Sequence, residues 1–231
     1  MIDKKPDISG TMDGARAVTL INAMINRMID DEGGHARRVI DTLLDLGFTA
    51  EELTGIFLFP KGDVEQAELD AKPKLRLLLF EECRRSCPGC CNRDWNLKAL
   101  PACRDYTPYR LIMLTGGEPM LHPEVVRSAV AAIRAQTDVP IYLYTAMVEG
   151  LDDLLPILDG VTVTLHEEAD AAPFEQFVRT AKNLSGKSLR LNVFEAVGDV
   201  ACPAGWQMKD HIQWIPNCPL PDGEVLMWYE D

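Results

Sequence analysis

The sequence predicts a mixed α/β fold, an open partial (β/α)6 barrel with an N-terminal helical extension. From residue 74 onward, short apolar runs alternate with segments of helical periodicity, which is the pattern of βαβ units around a parallel sheet. Residues 1–70 show only helical patterns, carry 14 Asp and Glu against 7 Lys and Arg, and contain no cysteine. We therefore divide the chain into an acidic helical region, 1–70, and a core of strands and helices, 71–231.

The helical region is expected to begin with a helix over 15–31, where apolar residues recur every three or four positions. A second helix ends before Gly47, because glycine favours the backbone conformation that terminates a helix. Thr49 and Glu52 have the spacing of a capping box, so a third helix starts near Ala50. We interpret the apolar stripes of these helices as helix–helix core.

The core is expected to contain six strands and at least three helices. The predicted strands are Leu75–Phe80, Leu111–Thr115, Ile141–Thr145, Val161–Leu165, Leu189–Phe194 and His211–Ile215. The predicted helices are Pro123–Ala135, Leu151–Leu158 and Pro173–Leu184. Six strands over residues 74–216 leave about 24 residues per unit, whereas a complete (β/α)8 barrel uses about 31. The sequence is therefore too short for a closed barrel of the usual kind.

Charge and hydropathy exclude several classes of protein. The 231 residues include 23 Lys and Arg against 36 Asp and Glu, a formal net charge of −13, which argues against a nucleic-acid surface. No apolar run approaches the roughly 18 residues of a membrane span. The first ten residues, MIDKKPDISG, lack the apolar stretch of a signal peptide. We therefore expect a cytoplasmic protein that binds neither nucleic acid nor membrane.

The cysteines are concentrated in one segment. Five of the seven fall between Cys83 and Cys103, which in a cytoplasmic chain indicates metal binding or redox chemistry before disulfides. Cys83, Cys87 and Cys90 follow the first predicted strand, at the end where parallel folds place their chemistry.

Three interpretations of these cysteines compete. A structural zinc site needs a fourth ligand, such as Cys91 or Cys103. An inert buried set does not suit a segment rich in Arg and Asp. A [4Fe–4S] cluster with three protein ligands leaves one iron open to a further ligand.

A second motif follows the next predicted strand. Gly116-Gly117-Glu118-Pro119 comes 26 residues after Cys90. A glycine pair at the end of a strand allows positive φ angles and a close backbone approach to a ligand. Because consecutive strand ends meet at one edge of a parallel sheet, the two motifs are expected to lie together.

With these two motifs and the strand–helix alternation, the sequence resembles the radical S-adenosylmethionine (SAM) superfamily over residues 74–216. The resemblance implies that three cysteines hold a [4Fe–4S] cluster: Cys83, Cys87 and Cys90. It also implies that the second motif binds the amino group of SAM through Gly116, Gly117, Glu118 and Pro119. The cluster would pass one electron to SAM and generate a 5′-deoxyadenosyl radical that abstracts hydrogen from a substrate.

The resemblance places further cofactor contacts at later strand ends. The implied contacts to SAM are Thr164 and His166, at the end of the fourth predicted strand, and Asn192, on the fifth. His166 has an alternative role as a solvated turn residue. Glu195, Tyr144 and Thr145 lie near the same edge by placement alone.

The chain departs from the superfamily pattern after Cys90, where Cys91 stands in a neighbourhood that usually carries an aromatic residue. Trp95 is a candidate to replace that aromatic residue, with ordinary packing as the alternative. Four cysteines could ligate a second cluster, and four lie outside the triplet: Cys91, Cys103, Cys202 and Cys218. The alternative is that they are free cysteines of the folded protein.

The resemblance leaves the reaction open. The segment after Cys87 loosely resembles activating enzymes that place a glycyl radical on a partner protein. In its compact length the chain also resembles 7-carboxy-7-deazaguanine synthase, an enzyme that acts on a small molecule. Peptide-modifying maturases are a third alternative, because they often carry an extra domain like the helical region. A non-catalytic iron–sulfur or zinc scaffold is a further alternative. The expected partners are an electron donor such as flavodoxin or ferredoxin, and a small-molecule substrate or a partner protein.

Overall fold

The computed structural model describes residues 35–215, 217 and 219–230. The chain divides into two compact units, Met1–Lys72 and Pro73–Asp231. The helix expected over 15–31, and Cys218, lie outside the described residues. Every helix that the structure describes falls short of the length and apolarity needed to cross a membrane.

The first unit contains three described helices: α1 (His35–Asp45), α2 (Ala50–Gly55) and α3 (Lys61–Ala71). Gly47, with a φ of 89°, lies in the turn after α1, which confirms the expected stop. The Thr49 amide donates to Glu52 Oε2 (2.9 Å) and the Glu52 amide donates to Thr49 Oγ1 (3.2 Å), which confirms the capping box. The apolar stripes form a core, as expected, whose buried members are Ile40, Phe48, Leu53, Phe57, Phe59, Val64 and Ala67.

The second unit is built on one sheet of eight parallel strands. In chain order they are β1 (Lys74–Leu78), β2 (Ala102–Cys103), β3 (Leu111–Thr115), β4 (Ile141–Thr145), β5 (Gly160–Leu165), β6 (Ser188–Phe194), β7 (Trp206–Ile212) and β8 (Glu224–Tyr229). Their order across the sheet is β2-β8-β1-β3-β4-β5-β6-β7, and every neighbouring pair is parallel. The sheet has two edges, β2 and β7, and is therefore open, as the sequence predicts.

The expected count of six strands is wrong. β2 has only two residues, which is too short to give a periodic signal. β8 inserts between β1 and β2, and it follows β7 without an intervening described helix. The last predicted strand, His211–Ile215, is also shifted, because β7 begins at Trp206. β7 lies at an edge and is largely exposed, so polar residues interrupt its apolar pattern.

Successive residues of each strand alternate between two faces of the sheet. One face carries the main core and is covered by α5 (Pro123–Arg134) and α6 (Ala171–Thr180). The opposite face we call the polar face. Its strand residues include Lys74, Arg76, Met113, Tyr142, Tyr144, Thr162, Thr164, Arg190, Asn192, Gln207, Lys209 and Glu224.

Two expected helices differ in detail. The segment expected to be helical over Leu151–Leu158 forms two short 3₁₀ turns, Leu151–Asp153 and Leu155–Ile157. Pro156 lies within this segment and lacks the amide proton that a continuous α-helix would need there. α6 ends at Thr180, earlier than the predicted end at Leu184. The helical segments that the structure describes between β1 and β3 are a one-turn helix, α4 (Cys91–Asp94), and a 3₁₀ turn, which precede β2.

Candidate functional site

The two motifs lie side by side at the carboxyl edge of the sheet. Beyond the paired ends of β1 and β3, the ladder continues through the loops that carry the motifs. The Leu79 amide donates to Thr115 O (2.9 Å), the Gly117 amide to Phe80 O (2.7 Å) and the Glu118 amide to Glu82 O (2.8 Å). The proximity that the sequence predicts for the two motifs is therefore confirmed, down to direct backbone contact.

This contact explains why the second motif contains two glycines. A Cβ atom at Gly117 would lie 1.8 Å from Glu82 O, and one at Gly116 would lie 2.6 Å from Phe80 O. Gly116 also has a φ of 137°, which side chains rarely adopt. The close backbone approach that the sequence predicts for the glycine pair is therefore an approach to the backbone of the cysteine loop.

Glu118 joins the ends of β3 and β4. Its side chain is only 3% exposed, and its carboxylate accepts from the Ala146 amide (2.9 Å), the Met120 amide (3.1 Å) and the Thr145 hydroxyl. Burial raises the pKa of Glu118, and these hydrogen bonds oppose that rise because they favour the charged form. Pro119 follows it, is also buried, and begins a 3₁₀ turn.

The three motif cysteines lie on one loop as free thiols, with Cys83 exposed and Cys87 and Cys90 half-buried. Burial raises the pKa of the Cys87 thiol, and the neighbouring Cys90 and Cys83 thiols raise it further. Across residues 35–215, 217 and 219–230, no three His, Cys, Asp or Glu side chains form a ready metal-binding group.

The remaining cysteines do not gather into a second described site. Cys91 is in a disulfide, so in this state it is not a free metal ligand beside Cys90. Cys103 is buried in the main core on β2, and Cys202 is an exposed free thiol. These placements favour the interpretation of Cys103 as an ordinary core residue.

The loop that carries the cysteines is fixed to its surroundings by residues between and after them. Asn92, on α4, donates from Nδ2 to Gly116 O (2.7 Å), and Arg93 donates to Cys87 O. Arg85, between Cys83 and Cys87, donates to Asp170 through both terminal nitrogens at 2.9 and 2.5 Å.

Asp170 is the acceptor on which the loops after β1 and β5 converge. It is 8% exposed and also accepts from the His166 amide (2.7 Å) and the Glu167 amide (3.2 Å). Burial alone would raise the pKa of Asp170, but the Arg85 and amide hydrogen bonds outweigh it and the pKa is lowered. A cleft of about 320 Å³ borders this pair, and its lining includes Arg84, Glu118, Met147, Leu165 and Pro173.

His166 lies in an aromatic cluster rather than in a solvated turn. Its ring is stacked on Trp214, with centroids 5.3 Å apart and planes within 7°, and Phe194 lies 5.0 Å away. Its Nδ1 atom is buried and has no hydrogen-bond partner within the part of the chain that the structure describes. Burial, helped by the nearby charge of Arg85, lowers the pKa of His166 to about 4, so the ring is neutral at pH 7.

Trp214 brings this aromatic cluster to the cysteine loop. A Cβ atom at Gly89 would lie 2.9 Å from the Trp214 ring, so the ring covers the backbone between Cys87 and Cys90. Trp95 packs instead with a separate apolar group beside Leu78 and Leu97. The alternative of ordinary packing therefore describes Trp95, and sequence reasoning missed Trp214.

The other expected residues occupy the polar face and its rim. Thr164 and Asn192 are register neighbours on β5 and β6, and both are half-buried. Tyr144 lies under the guanidinium of Arg76, 5.4 Å from ring centroid to Cζ. Glu195 accepts a hydrogen bond from Gln213 (3.0 Å) just after β6.

The lowered pKa of His166 predicts an acid-sensitive fold. In the unfolded chain histidine protonates below about pH 6.5, whereas the folded state resists protonation of His166. The stabilisation is therefore complete above that pH and declines as the pH falls toward 4. We expect wild type to lose more free energy of unfolding between about pH 7 and about pH 5 than His166→Phe, as measured by urea denaturation.

His122→Phe serves as the control because its expected effect has the opposite sign. The hydrogen bond between His122 Nε2 and Glu82 Oε2 (2.8 Å) raises the pKa of His122, so this residue stabilises the fold at low pH and less as the pH rises. An identical acid response in wild type and His166→Phe would contradict the assignment.

No protein-family model matches the chain, and comparison with curated proteins likewise found no match.

Proposed function

We propose that this protein is a radical SAM enzyme. The observation that carries the proposal is the junction between the cysteine loop and the Gly116–Pro119 segment, joined by backbone hydrogen bonds at the carboxyl edge of a parallel sheet. In parallel α/β folds this edge is where ligands bind and reactions occur.

The residues present fit an iron–sulfur cluster. Cys83, Cys87 and Cys90 offer three thiols on one loop, and thiolates are the ligands that iron–sulfur clusters use. A three-cysteine set leaves one iron free for SAM, and the cluster would supply the electron that cleaves it.

The protein residues position and shield this chemistry. The Arg85–Asp170 pair fixes the loop between the first two cysteines against the end of β5. Trp214 covers the loop at Gly89 and stacks with His166 and Phe194, so these rings would shield one side of a bound cluster. Glu118 holds the ends of β3 and β4 together, which keeps the Gly116–Pro119 backbone in place.

The test uses the full chain, reconstituted with iron and sulfide without oxygen, reduced with dithionite and mixed with SAM. We expect visible absorption of a [4Fe–4S] cluster, about four irons per chain and release of 5′-deoxyadenosine and methionine. An intact cluster without either product would contradict enzymatic function. Zinc in place of iron after anaerobic purification would favour the scaffold alternative.

A further inference from the structure

The polar face concentrates positive charge in an acidic protein. Among its described strand residues are Lys74, Arg76, Arg190 and Lys209, against one carboxylate, that of Glu224. The chain as a whole has a formal net charge of −13. The described strand residues of this face therefore carry a net positive charge in an acidic protein, and positive surfaces attract anions.

The two arginines of this face are not equivalent. Arg76 is neutralised, because its Nε and Nη2 donate to Glu224 Oε2 at 3.0 and 2.6 Å. Arg190 lies with its Cζ 4.7 Å from the centroid of the Tyr142 ring, and its guanidinium forms no hydrogen bond or ion pair with any residue the structure describes. Arg190 is half-buried, so its donors remain available next to a partly apolar surface.

Polar side chains neighbour Arg190 in the sheet. Thr162, its register neighbour on β5, is 2% exposed, and its hydroxyl has no hydrogen-bond partner among the described residues. One row nearer the carboxyl edge, Thr164, Asn192 and Lys209 lie side by side on β5, β6 and β7. Buried polar groups in folded proteins are nearly always paired, so the unpaired hydroxyl of Thr162 beside Arg190 indicates a ligand that supplies the missing acceptor.

We propose that the polar face binds the oxyanion of a small organic substrate, a carboxylate or a phosphate, with Arg190 as its anchor. Guanidinium groups bind both oxyanions through paired hydrogen bonds. The assignment rests on the proposed function, for which it names the class of substrate. Asn192 follows Arg190 by two residues on β6, about 7 Å farther along the strand toward the carboxyl edge that carries the cysteine loop.

The test measures oxyanion binding to the full chain by calorimetric titration with inorganic phosphate and, separately, with acetate, at an ionic strength held constant with chloride. We expect saturable binding of at least one of the two anions, and the preferred one identifies the substrate's charged group. Arg190→Gln should weaken that binding about tenfold, since a hydrogen bond to a charged group is lost. Arg190→Lys, which keeps the charge but not the paired donors, should have an intermediate effect.

Arg179→Gln is the matched control, because Arg179 lies on α6, on the other side of the sheet, with 62% of its side chain exposed. Its affinity should stay within about twofold of wild type. Absent binding in wild type, or equal losses in Arg179→Gln and Arg190→Gln, would overturn the assignment. If Arg190→Gln fails to fold, Lys209→Gln on the exposed edge strand replaces it. We expect this variant to bind the anion about threefold more weakly than wild type, and an unchanged affinity would contradict the proposal.

Iron and sulfide are assayed on the same preparations. A protein that holds the cluster but binds anions independently of Arg190 contradicts only this inference. A protein that binds anions through Arg190 but forms no cluster contradicts only the proposed function.

Discussion

Replacing Cys87 by alanine is expected to abolish both the iron–sulfur cluster and SAM cleavage. Cys87 is the central thiol of the three, and its pKa responds to burial and to both neighbouring cysteines. Without it, two thiols remain on the loop, too few to hold a cluster that needs three protein ligands. Iron per chain should fall from about four to well below one after desalting, and 5′-deoxyadenosine should fall to the background of the assay.

Cys202→Ala provides the control for this loss. Cys202 is also a free thiol of the second unit, but it lies in the loop before β7 and donates only to nearby backbone carbonyls. This variant should keep wild-type iron content, absorption and product release. A Cys87→Ala protein that retains about four irons would show that the ligand assignment is wrong, whatever its activity.

The strands that the sequence located well are those buried in the middle of the sheet. β3 and β4 match their predicted bounds, because Leu111–Thr115 and Ile141–Thr145 are continuous apolar runs between turn signals. The predicted strands do not include β8, although its segment EVLMWY is mostly apolar. β8 pairs with β1, which lies at the far end of the second unit's sequence. Only pairing across some 150 residues shows that this segment is a strand.

The candidate site was predictable where it depends on strand topology, and not where it depends on side chains from distant loops. Parallel topology alone places the cysteine loop beside the Gly116–Pro119 segment, and the hydrogen bonds between them agree. Arg85 carries no sequence signal that it will reach Asp170, 85 residues later. Trp214 likewise lies beyond β7, and only the folded chain brings its ring over Gly89. Side chains that arrive from distant loops require the tertiary structure.

Replacing Gly117 by alanine is expected to disrupt the junction on which the proposed function depends. The added Cβ would lie 1.8 Å from Glu82 O and 2.4 Å from Glu82 C, and both are backbone atoms that no side-chain rotation can move. The two loops must separate, which breaks the 2.8 Å hydrogen bond from the Glu118 amide to Glu82 O. We expect the free energy of unfolding to fall by roughly 3 kcal/mol, the upper range for overpacking.

The measurement is urea denaturation followed by tryptophan fluorescence, because all four tryptophans belong to the second unit and report on its unfolding. Gly186→Ala is the matched control: Gly186 has a φ of 74°, but a Cβ there meets nothing within 4 Å. Its cost should be only the strain of the left-handed conformation, about 1 kcal/mol. A loss at Gly117 no larger than that at Gly186 would contradict the predicted clash with the Glu82 backbone. A larger loss at Gly117, accompanied by reduced iron in the reconstituted protein, would connect the packing of the two loops to the capacity to hold the cluster.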